Sequence, residues 1–284
     1  MNSDLQKYNQ MKCYASREFE MTYSSFTIMR DIAYQLTGIV LSDHKQNMIY
    51  ARLSRRLRVL GVNTFDEYCR LLTVGSTELN EFVNAITTNL TAFFREEHHF
   101  KYLKAHILPV LHKKNKHSSR LRIWSAGCST GEEPYSIAMV LSSQTMFESW
   151  DAKILATDLD SSVVAKGREG VYSEERCASI PLQYTQYLQP HLAPGQRSVC
   201  DDIRRKIVFK ELNLLEAWPM KGPFDIIFCR NVVIYFDKET QKKLFSRYAS
   251  LLSDGGYLFI GHSENIHQVS QDFKPLGQTI YQKI

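Results

Sequence analysis

The chain has 284 residues, 44% of them apolar, and a formal net charge of +5, enough for one large domain or two modest ones. It contains no run of 18 uncharged apolar residues, which excludes a membrane-spanning helix, and the N-terminus MNSDLQKYNQ lacks the apolar stretch of a secretory signal. Cys13, Cys69, Cys128, Cys177, Cys200 and Cys229 form no C-x-x-C pair, so a reduced, cytoplasmic protein is expected, with neither a disulfide framework nor a metal site.

The charge is unevenly placed. Residues 1–119 carry 16 Lys+Arg against 11 Asp+Glu, and residues 120–284 carry 19 against 19. The excess belongs to the first part and points to an acidic partner there. Residues 1–22 have weak periodicity and are expected to form a loose arm. Phe26, Met29, Ile32, Ala33 and Leu36 recur at helical spacing, with Ser24 or Ser25 as the cap and Gly38 as the stop. A second helix is expected from Asp43 to Leu60, with Ile49, Leu53, Leu57 and Leu60 on its apolar stripe. Lys45, Arg52, Arg55 and Arg56 lie on its other faces with no acid after Asp43, which suggests a docking surface. Nucleic acid is the weaker choice of partner, since there is no zinc spacing, helix-turn-helix signature or aromatic interleaving. Two short helices, 67–72 and 78–86, complete an all-helical domain over 23–87.

Residues 88–119 are expected to be a linker and clamp helix. Phe93 and Phe94 must bury, Thr91 is a candidate helix cap, and Arg95 could offer a guanidinium to an anion. Adjacent His98 and His99 diverge on a helix and make a poor metal pair.

From residue 120 the pattern changes to alternating strands and helices. Leu121, Ile123 and Trp124 form a strand, residues 125–131 a turn of small residues, and Glu132–Glu133–Pro134 a helix start. Gly127 and Gly131 permit the tight turn and close approach of a ligand. Strand, glycine turn and helix in this order is the nucleotide site of a doubly wound sheet. The two carboxylates oppose a pyrophosphate at that helix start but suit a cationic nucleoside such as S-adenosylmethionine. The strand 152–158 ends in Asp158, where a ribose hydroxyl would find an acceptor, with Asp160 as a fallback. Residues 172–206 break the alternation and are expected to be a small β-rich insertion, with 198–209 as strand. Further strands end near Asn213–Leu214 and Arg230–Asn231, followed by Tyr235 and Asp237. A helix over 239–252, a strand at 257–261 and a closing strand at 278–282 finish the domain. The expected fold is therefore α/β, a doubly wound, mostly parallel sheet with a small β insertion, spanning 120–284 behind the helical domain.

The segments TNLTAFFRE (88–96), SAGCSTGEEPYS (125–136), NLLE (213–216), FDIIFCRNVVIYFD (224–237) and GGYLFIGHSE (255–264), in this order and spacing, resemble the bacterial chemotaxis receptor methyltransferase family from about residue 24 to the end. The resemblance implies transfer of a methyl group from S-adenosylmethionine to glutamate side chains on the cytoplasmic signalling helices of chemoreceptors, leaving S-adenosylhomocysteine, in an enzyme that acts as a monomer. It implies cofactor contacts from Asn89, Thr91, Arg95, Gly127, Glu133, Asp158, Asn213, Leu214, Arg230 and Asn231. It also implies handling of the acceptor by Arg95 and Tyr235, and receptor binding through Lys45, Arg52, Arg55 and Arg56. The chain departs from members that grip a receptor C-terminal peptide with a glycine-rich loop, because PHLAPGQRSV (190–199) has one glycine. Direct docking on the methylated helices is expected instead.

The chemistry agrees with the residues. A glutamate acceptor is already ionised near neutral pH and needs no strong base. A serine hydrolase using Ser263, His262 and Asp237 is disfavoured, since GHSEN lacks the G-x-S-x-G elbow. Base methylation is disfavoured because RNVV stands where a base-holding N-P-P-Y-type motif would be. A sensor that binds S-adenosylmethionine, or a methyltransferase for another acidic protein, is the alternative.

Overall fold

The computed structural model describes residues 17–267 and 269–284 and divides the chain into two compact units, 1–87 and 88–284. Most of the N-terminal arm (1–16) lies outside the described residues.

The first unit is helical. Helix α1 (Tyr23–Thr37) is capped by Thr22, not by Ser24 or Ser25: its side chain accepts from Ser25 N, and Gly38 closes the helix at φ 68°. Helix α2 (Gln46–Leu60) follows a 3-10 turn, Asp43–Lys45, and buries Ile49, Leu53 and Leu57. Helices α3 (Phe65–Leu71) and α4 (Thr77–Ile86) pack beside α1 and α2, adding Phe65, Tyr68 and Phe82 to the core.

This packing ties up part of the basic face of α2. Arg52 donates to the carbonyls of Ala85, Ile86 and Thr87, so it caps the C-terminus of α4. Arg56 grips both oxygens of buried Glu78 and also reaches Glu81 at 3.1 Å. Tyr68 donates to the same Glu78 at 2.8 Å, completing a buried triad. The acids absent from α2 are supplied by α4, which the sequence of one helix cannot reveal. Arg58 pairs with Glu18. Lys45 is half-buried beside Arg52, and burial with that neighbouring charge lowers its ammonium. Arg55 stays exposed.

The second unit carries a seven-stranded sheet. In chain order its strands are β1 (Arg120–Ala126), β2 (Asp151–Asp158), β6 (Ile207–Glu211), β7 (Phe224–Cys229), β8 (Leu252–Ile260), β9 (Phe273–Gly277) and β10 (Ile280–Lys283). Their spatial order is β6-β2-β1-β7-β8-β10-β9; the first five are parallel, and β10 runs antiparallel to both its neighbours. Strand order reverses at β1, between β2 and β7, which is where an open α/β sheet leaves its ligand crevice.

The apolar runs of β1 and β7 serve both faces. Leu121, Ile123, Ile226 and Phe228 face one layer; Trp124, Ala126, Ile227 and Cys229 face the other. Helix α7 (Glu132–Ser142) covers the first face. So does a helix running through α5 (Glu97–Tyr102), a π turn (Leu103–Ile107) and α6 (Leu108–Lys114). Helix α11 (Lys238–Leu251) covers the second through Leu244, Phe245 and Tyr248.

The segment 88–119 is therefore no linker. Leu103, Ile107, Leu108 and Leu111 are wholly buried in the sheet layer. Phe94 stacks on Tyr184 at 4.8 Å, and its N–H donates to Ser136 Oγ. Thr91 caps nothing here: α5 starts at Glu97 with Glu96 at the cap position.

Helix α8 (Ser161–Glu169) links β2 to a separate three-stranded antiparallel sheet made of β3 (Val171–Ser173), β5 (Gln196–Val199) and β4 (Leu188–Pro190), with β5 in the middle. The short helix α9 (Glu174–Cys177) follows β3. Residues 198–209 are not one strand. Asp201–Arg204 form the helical turn α10, with Ile203 buried beneath it, before β6 begins. The closing strand is a β9–β10 hairpin whose turn residues, Gln278 and Thr279, sit at φ 51° and 58°, the geometry a two-residue hairpin demands.

Candidate cofactor and acceptor site

The turn after β1 owes its shape to two glycines. Gly127 has φ 103°, and a Cβ there would lie 2.3 Å from Val232 Cγ2; Gly131 has φ 98°, with Tyr172 Oη 2.8 Å from its would-be Cβ. The backbone is thus brought close to the loop following β7. Cys128, which lies in this turn, is buried, and burial raises its thiol well above the usual range. It is an inert packing residue.

The two glutamates at the start of α7 have different fates. Glu132 is buried, accepting from Thr130 Oγ1 of the turn itself and pairing with Arg176 at 2.5 Å. Only Glu133 is available to the expected cofactor site. It accepts from Ser125 Oγ at 2.7 Å and from Arg230 Nη1 at 3.2 Å, and burial raises its carboxyl.

Asp158 ends β2 and answers the same turn. Its Oδ2 accepts from Ser129 N at 2.7 Å and its Oδ1 from Asp160 N at 3.1 Å. Burial outweighs these bonds and pushes it up to about 6. Asp160 is committed elsewhere. It caps α8 by accepting from Ser162 and Val163 N–H and also takes Asn89 Nδ2 at 2.7 Å. Both of its oxygens are thus already bonded within the fold. Asn89 is tied in twice, since its carbonyl accepts from Ser129 Oγ.

Arg230, at the end of β7, is the centre of a buried charge cluster. It donates to Glu133 and to the carbonyl of Arg95, and lies 3.4 Å from Glu96 Oε2. Glu96 also meets His262 Nδ1 at 2.9 Å; burial works to raise its carboxyl, but the hydrogen bonds from His262 and the Arg230 charge hold it at about 2. His99 Nδ1 lies 3.4 Å from the same carboxylate, while its Nε2 donates to Gln278 O in the hairpin turn at 2.7 Å. Burial and the facing Arg230 charge lower His99 to about 4, so it is neutral near pH 7. Arg230 Nε, Glu96 Oε2 and His99 Nδ1 are buried without a hydrogen-bond partner. Glu96, His98 and His99 bring ligand atoms within 4.8 Å of one another, but a cation there would confront the Arg230 guanidinium.

The structure thus joins Asn89, Gly127, Glu133, Asp158, Arg230 and the backbone of Arg95 around the ends of β1, β2 and β7. The Arg95 guanidinium itself donates to Leu90 O at 2.9 Å. Thr91 is half-buried in the turn before α5. Asn213 accepts from Leu215 N and donates to Glu216, shaping the turn after β6. Leu214 is buried, and its carbonyl accepts from Trp218 and Arg247. Asn231 sits at φ 59°. Tyr235 ends the 3-10 turn Val233–Tyr235, and Asp237 caps α11 by accepting from Thr240 N, which removes it from any hydrolytic triad.

Phe94, Glu96, Ser129 and Asn231 all have positive φ without being glycine. Such backbone strain gathers where a site over-determines its geometry. Sequence reasoning missed two members, Glu96 and Glu264, although both lie inside the quoted segments; for Glu264 the available signal was a charged residue just past an apolar strand, and Glu96, among charged neighbours, gave none.

The residues fit S-adenosylmethionine. Glycines admit a ligand against backbone, Asp158 offers an acceptor at the second strand, and Glu133 puts a carboxylate where a pyrophosphate would need free N–H groups. Comparison with known proteins agrees. Residues 24–87 match the CheR methyltransferase all-alpha domain, and residues 89–282 match the CheR methyltransferase SAM binding domain. The chain is 44% identical over 255 residues to a probable chemotaxis protein methyltransferase of Rhizobium etli, covering 87% of this chain and 95% of that one. It is 42% identical over 272 residues to the chemotaxis protein methyltransferase of Klebsiella aerogenes (94% and 91%). With that of Escherichia coli it shares 43% over 262 residues (90% and 89%). The chain belongs to the CheR methyltransferase family and is an S-adenosylmethionine-dependent methyltransferase.

Proposed function

We propose that the protein methylates glutamate side chains on the cytoplasmic signalling helices of chemoreceptors, working in the cytoplasm as a monomer. No helix among the described residues is long and apolar enough to cross a membrane, in keeping with a partner that is met from outside the bilayer. The observation that carries the reading is the glycine turn flanked by Glu133 and Asp158, in a chain whose relatives are chemotaxis methyltransferases.

S-adenosylmethionine supplies an electrophilic methyl group on a sulfonium, which an acceptor carboxylate oxygen takes with its lone pair while the carbon–sulfur pair stays with sulfur as S-adenosylhomocysteine. No proton moves, so the protein's task is alignment and exclusion of water. In this reading Asp158 accepts from ribose hydroxyls. Asn89 and Thr91 line the turn, Gly127 gives the close approach, and Glu133 with Arg230 and Asn231 meets the charged end of the cofactor. Asn213 and Leu214 hold its base. Arg95 serves the cofactor carboxylate or the non-attacking oxygen, because a guanidinium held on the attacking oxygen would oppose neutralisation of charge. Tyr235 donates a hydrogen bond that fixes the acceptor.

The test is methyl transfer from labelled S-adenosylmethionine to receptor-containing membranes, beside calorimetry with S-adenosylhomocysteine and NAD. Base-labile label on the receptor and binding of S-adenosylhomocysteine alone are expected. Tight NAD binding without S-adenosylhomocysteine binding would sink the reading. Arg95→Ala should cut transfer even at saturating receptor, whereas recovery by added receptor would move Arg95 out of the reaction centre.

A further inference from the structure

The loop after β7, residues 230–237, carries Arg230, Asn231 and Tyr235, yet it belongs to neither helix nor strand apart from one 3-10 turn. Its backbone groups are satisfied from outside by two buried side chains. Glu264, 5% exposed, accepts from five N–H groups. Its Oε2 takes Asn231 N at 3.0 Å and Gly261 N; its Oε1 takes Val232 N and Val233 N at 2.9 Å and Ile234 N at 3.3 Å. On the carbonyl side, Gln241 of α11 donates through Nε2 to Val233 O and Phe236 O, each at 2.9 Å. One side chain therefore collects the donors of the loop, and the other supplies its acceptors with a donor.

Such an arrangement does more than fill space. A buried carboxylate is costly unless bonded, and burial raises the Glu264 carboxyl even against these five donors. A turn of consecutive N–H groups around an anion is a rigid nest. Here the anion comes from the chain itself, so the loop is set before any ligand arrives. The chosen geometry includes Asn231 at φ 59°, which an asparagine adopts less readily than glycine.

We propose that Glu264 and Gln241 are positioning residues for Tyr235, holding the loop in the one conformation that presents its phenol to the acceptor glutamate. This rests on the acceptor role proposed above for Tyr235. The chemistry of the clamp predicts which substitutions matter. Glu264→Gln keeps the shape, but either orientation of the amide turns an NH2 group toward at least two backbone N–H donors. Gln241→Leu keeps the bulk and removes the donor to both carbonyls.

The test is a double-mutant cycle on methyl transfer, with kcat measured per folded molecule at low temperature and S-adenosylhomocysteine affinity measured beside it. Glu264→Gln should lower kcat by about 30-fold, and Gln241→Leu by about 5-fold. If the clamp acts through the phenol, Glu264→Gln should cost less than about 3-fold more in a Tyr235→Phe background, because coupled residues are not additive. Additive losses in that background, or a lowered melting temperature with kcat unchanged, would make Glu264 a purely structural residue and overturn the proposal. If Glu264→Gln does not fold, the same cycle with Gln241→Leu decides. A wild-type kcat for Tyr235→Phe alone would instead overturn the acceptor role itself and, with it, the clamp.

Discussion

Each unit of the chain contains an arginine gripped by buried carboxylates, and the two clusters are finished to different degrees. In the helical unit, Arg56 meets both oxygens of Glu78, Tyr68 donates to the same carboxylate, and Glu81 closes the far side. In the sheet unit, Arg230 reaches Glu133, Glu96 and the carbonyl of Arg95, but its Nε and the Oε2 of Glu96 are buried without a hydrogen bond. Glu133 and Asp158 beside it are held above their usual range by burial. A cluster whose polar atoms are all matched has spent its interactions on the fold. One left partly unmatched, among perturbed carboxyls and strained backbone, holds electrostatic energy that a ligand can take up.

The sharpest way to break this comparison is to remove both arginines. Arg56→Met leaves the buried Glu78 with Tyr68 and little else. About 3 kcal/mol should be lost from the unfolding free energy of the helical unit in urea, at the low end for a broken buried pair because part of Arg56 is exposed. S-adenosylhomocysteine affinity should be unchanged. Arg230→Met should reverse the pattern: a smaller loss in denaturation but methyl transfer down by about 100-fold, near 2.7 kcal/mol of barrier. Equal stability losses with activity retained would mean that the two clusters do the same job.

Why one cluster was legible in the sequence and the other was not follows from where the partners come from. Around Arg230 the residues sit at strand ends, and the alternation of strand, glycine turn and helix places strand ends together in any doubly wound sheet. Asp158, Glu133 and Arg230 could therefore be named from the pattern. On α2 the same logic was unavailable. The helical repeat fixes which face is apolar, but Glu78 and Glu81 come from another helix at a separation no periodicity reports. Arg52 and Arg56 consequently looked free when they are bonded to α4. Asp158 was placed ahead of Asp160 from its position at the strand end, but the capping bonds from Ser162 and Val163 to Asp160 could be seen only in coordinates. Residues 201–204 and the β9–β10 hairpin were lost to short elements, whose apolar content is too small to show a period.

Within the sheet unit the next largest effect concerns Asp158. Asp158→Asn should weaken S-adenosylhomocysteine binding by about 1–3 kcal/mol, the worth of hydrogen bonds to a charged acceptor. The proton is linked to the same step. Because the free carboxyl sits at about 6, its stability contribution is greatest below the ordinary carboxylate pKa and declines as pH rises toward 6. Ribose hydroxyls favour the ionised form, so affinity should fall as pH drops through 6, with protons released on binding near that pH. Calorimetry in two buffers of different ionisation enthalpy reads the release directly. The Asn variant should show none of it, and a pH-independent wild-type affinity would take Asp158 out of the cofactor site.

The smallest effect belongs to the charge that the helical unit has left over. With Arg52 and Arg56 tied to α4 and Arg58 to Glu18, Arg55 is the exposed arginine of α2 that makes no ion pair with any described residue. An acidic receptor contact on this helix would find at Arg55 a charge with no acidic partner of its own. Exposed complementary charges act mainly on encounter and are screened by salt, so Arg55→Glu should slow association with receptor-containing membranes by about threefold at low ionic strength. The effect should fade as salt is raised above the physiological range. Unfolding free energy and S-adenosylhomocysteine affinity should match wild type, because nothing in the fold leans on this side chain. Arg56→Glu would weaken receptor binding as well, but through a destabilised helical unit, and salt would not mask the loss. Stopped-flow association across an ionic-strength series separates the two. A salt-insensitive loss for Arg55→Glu, or no change at any salt, would remove Arg55 from the receptor surface.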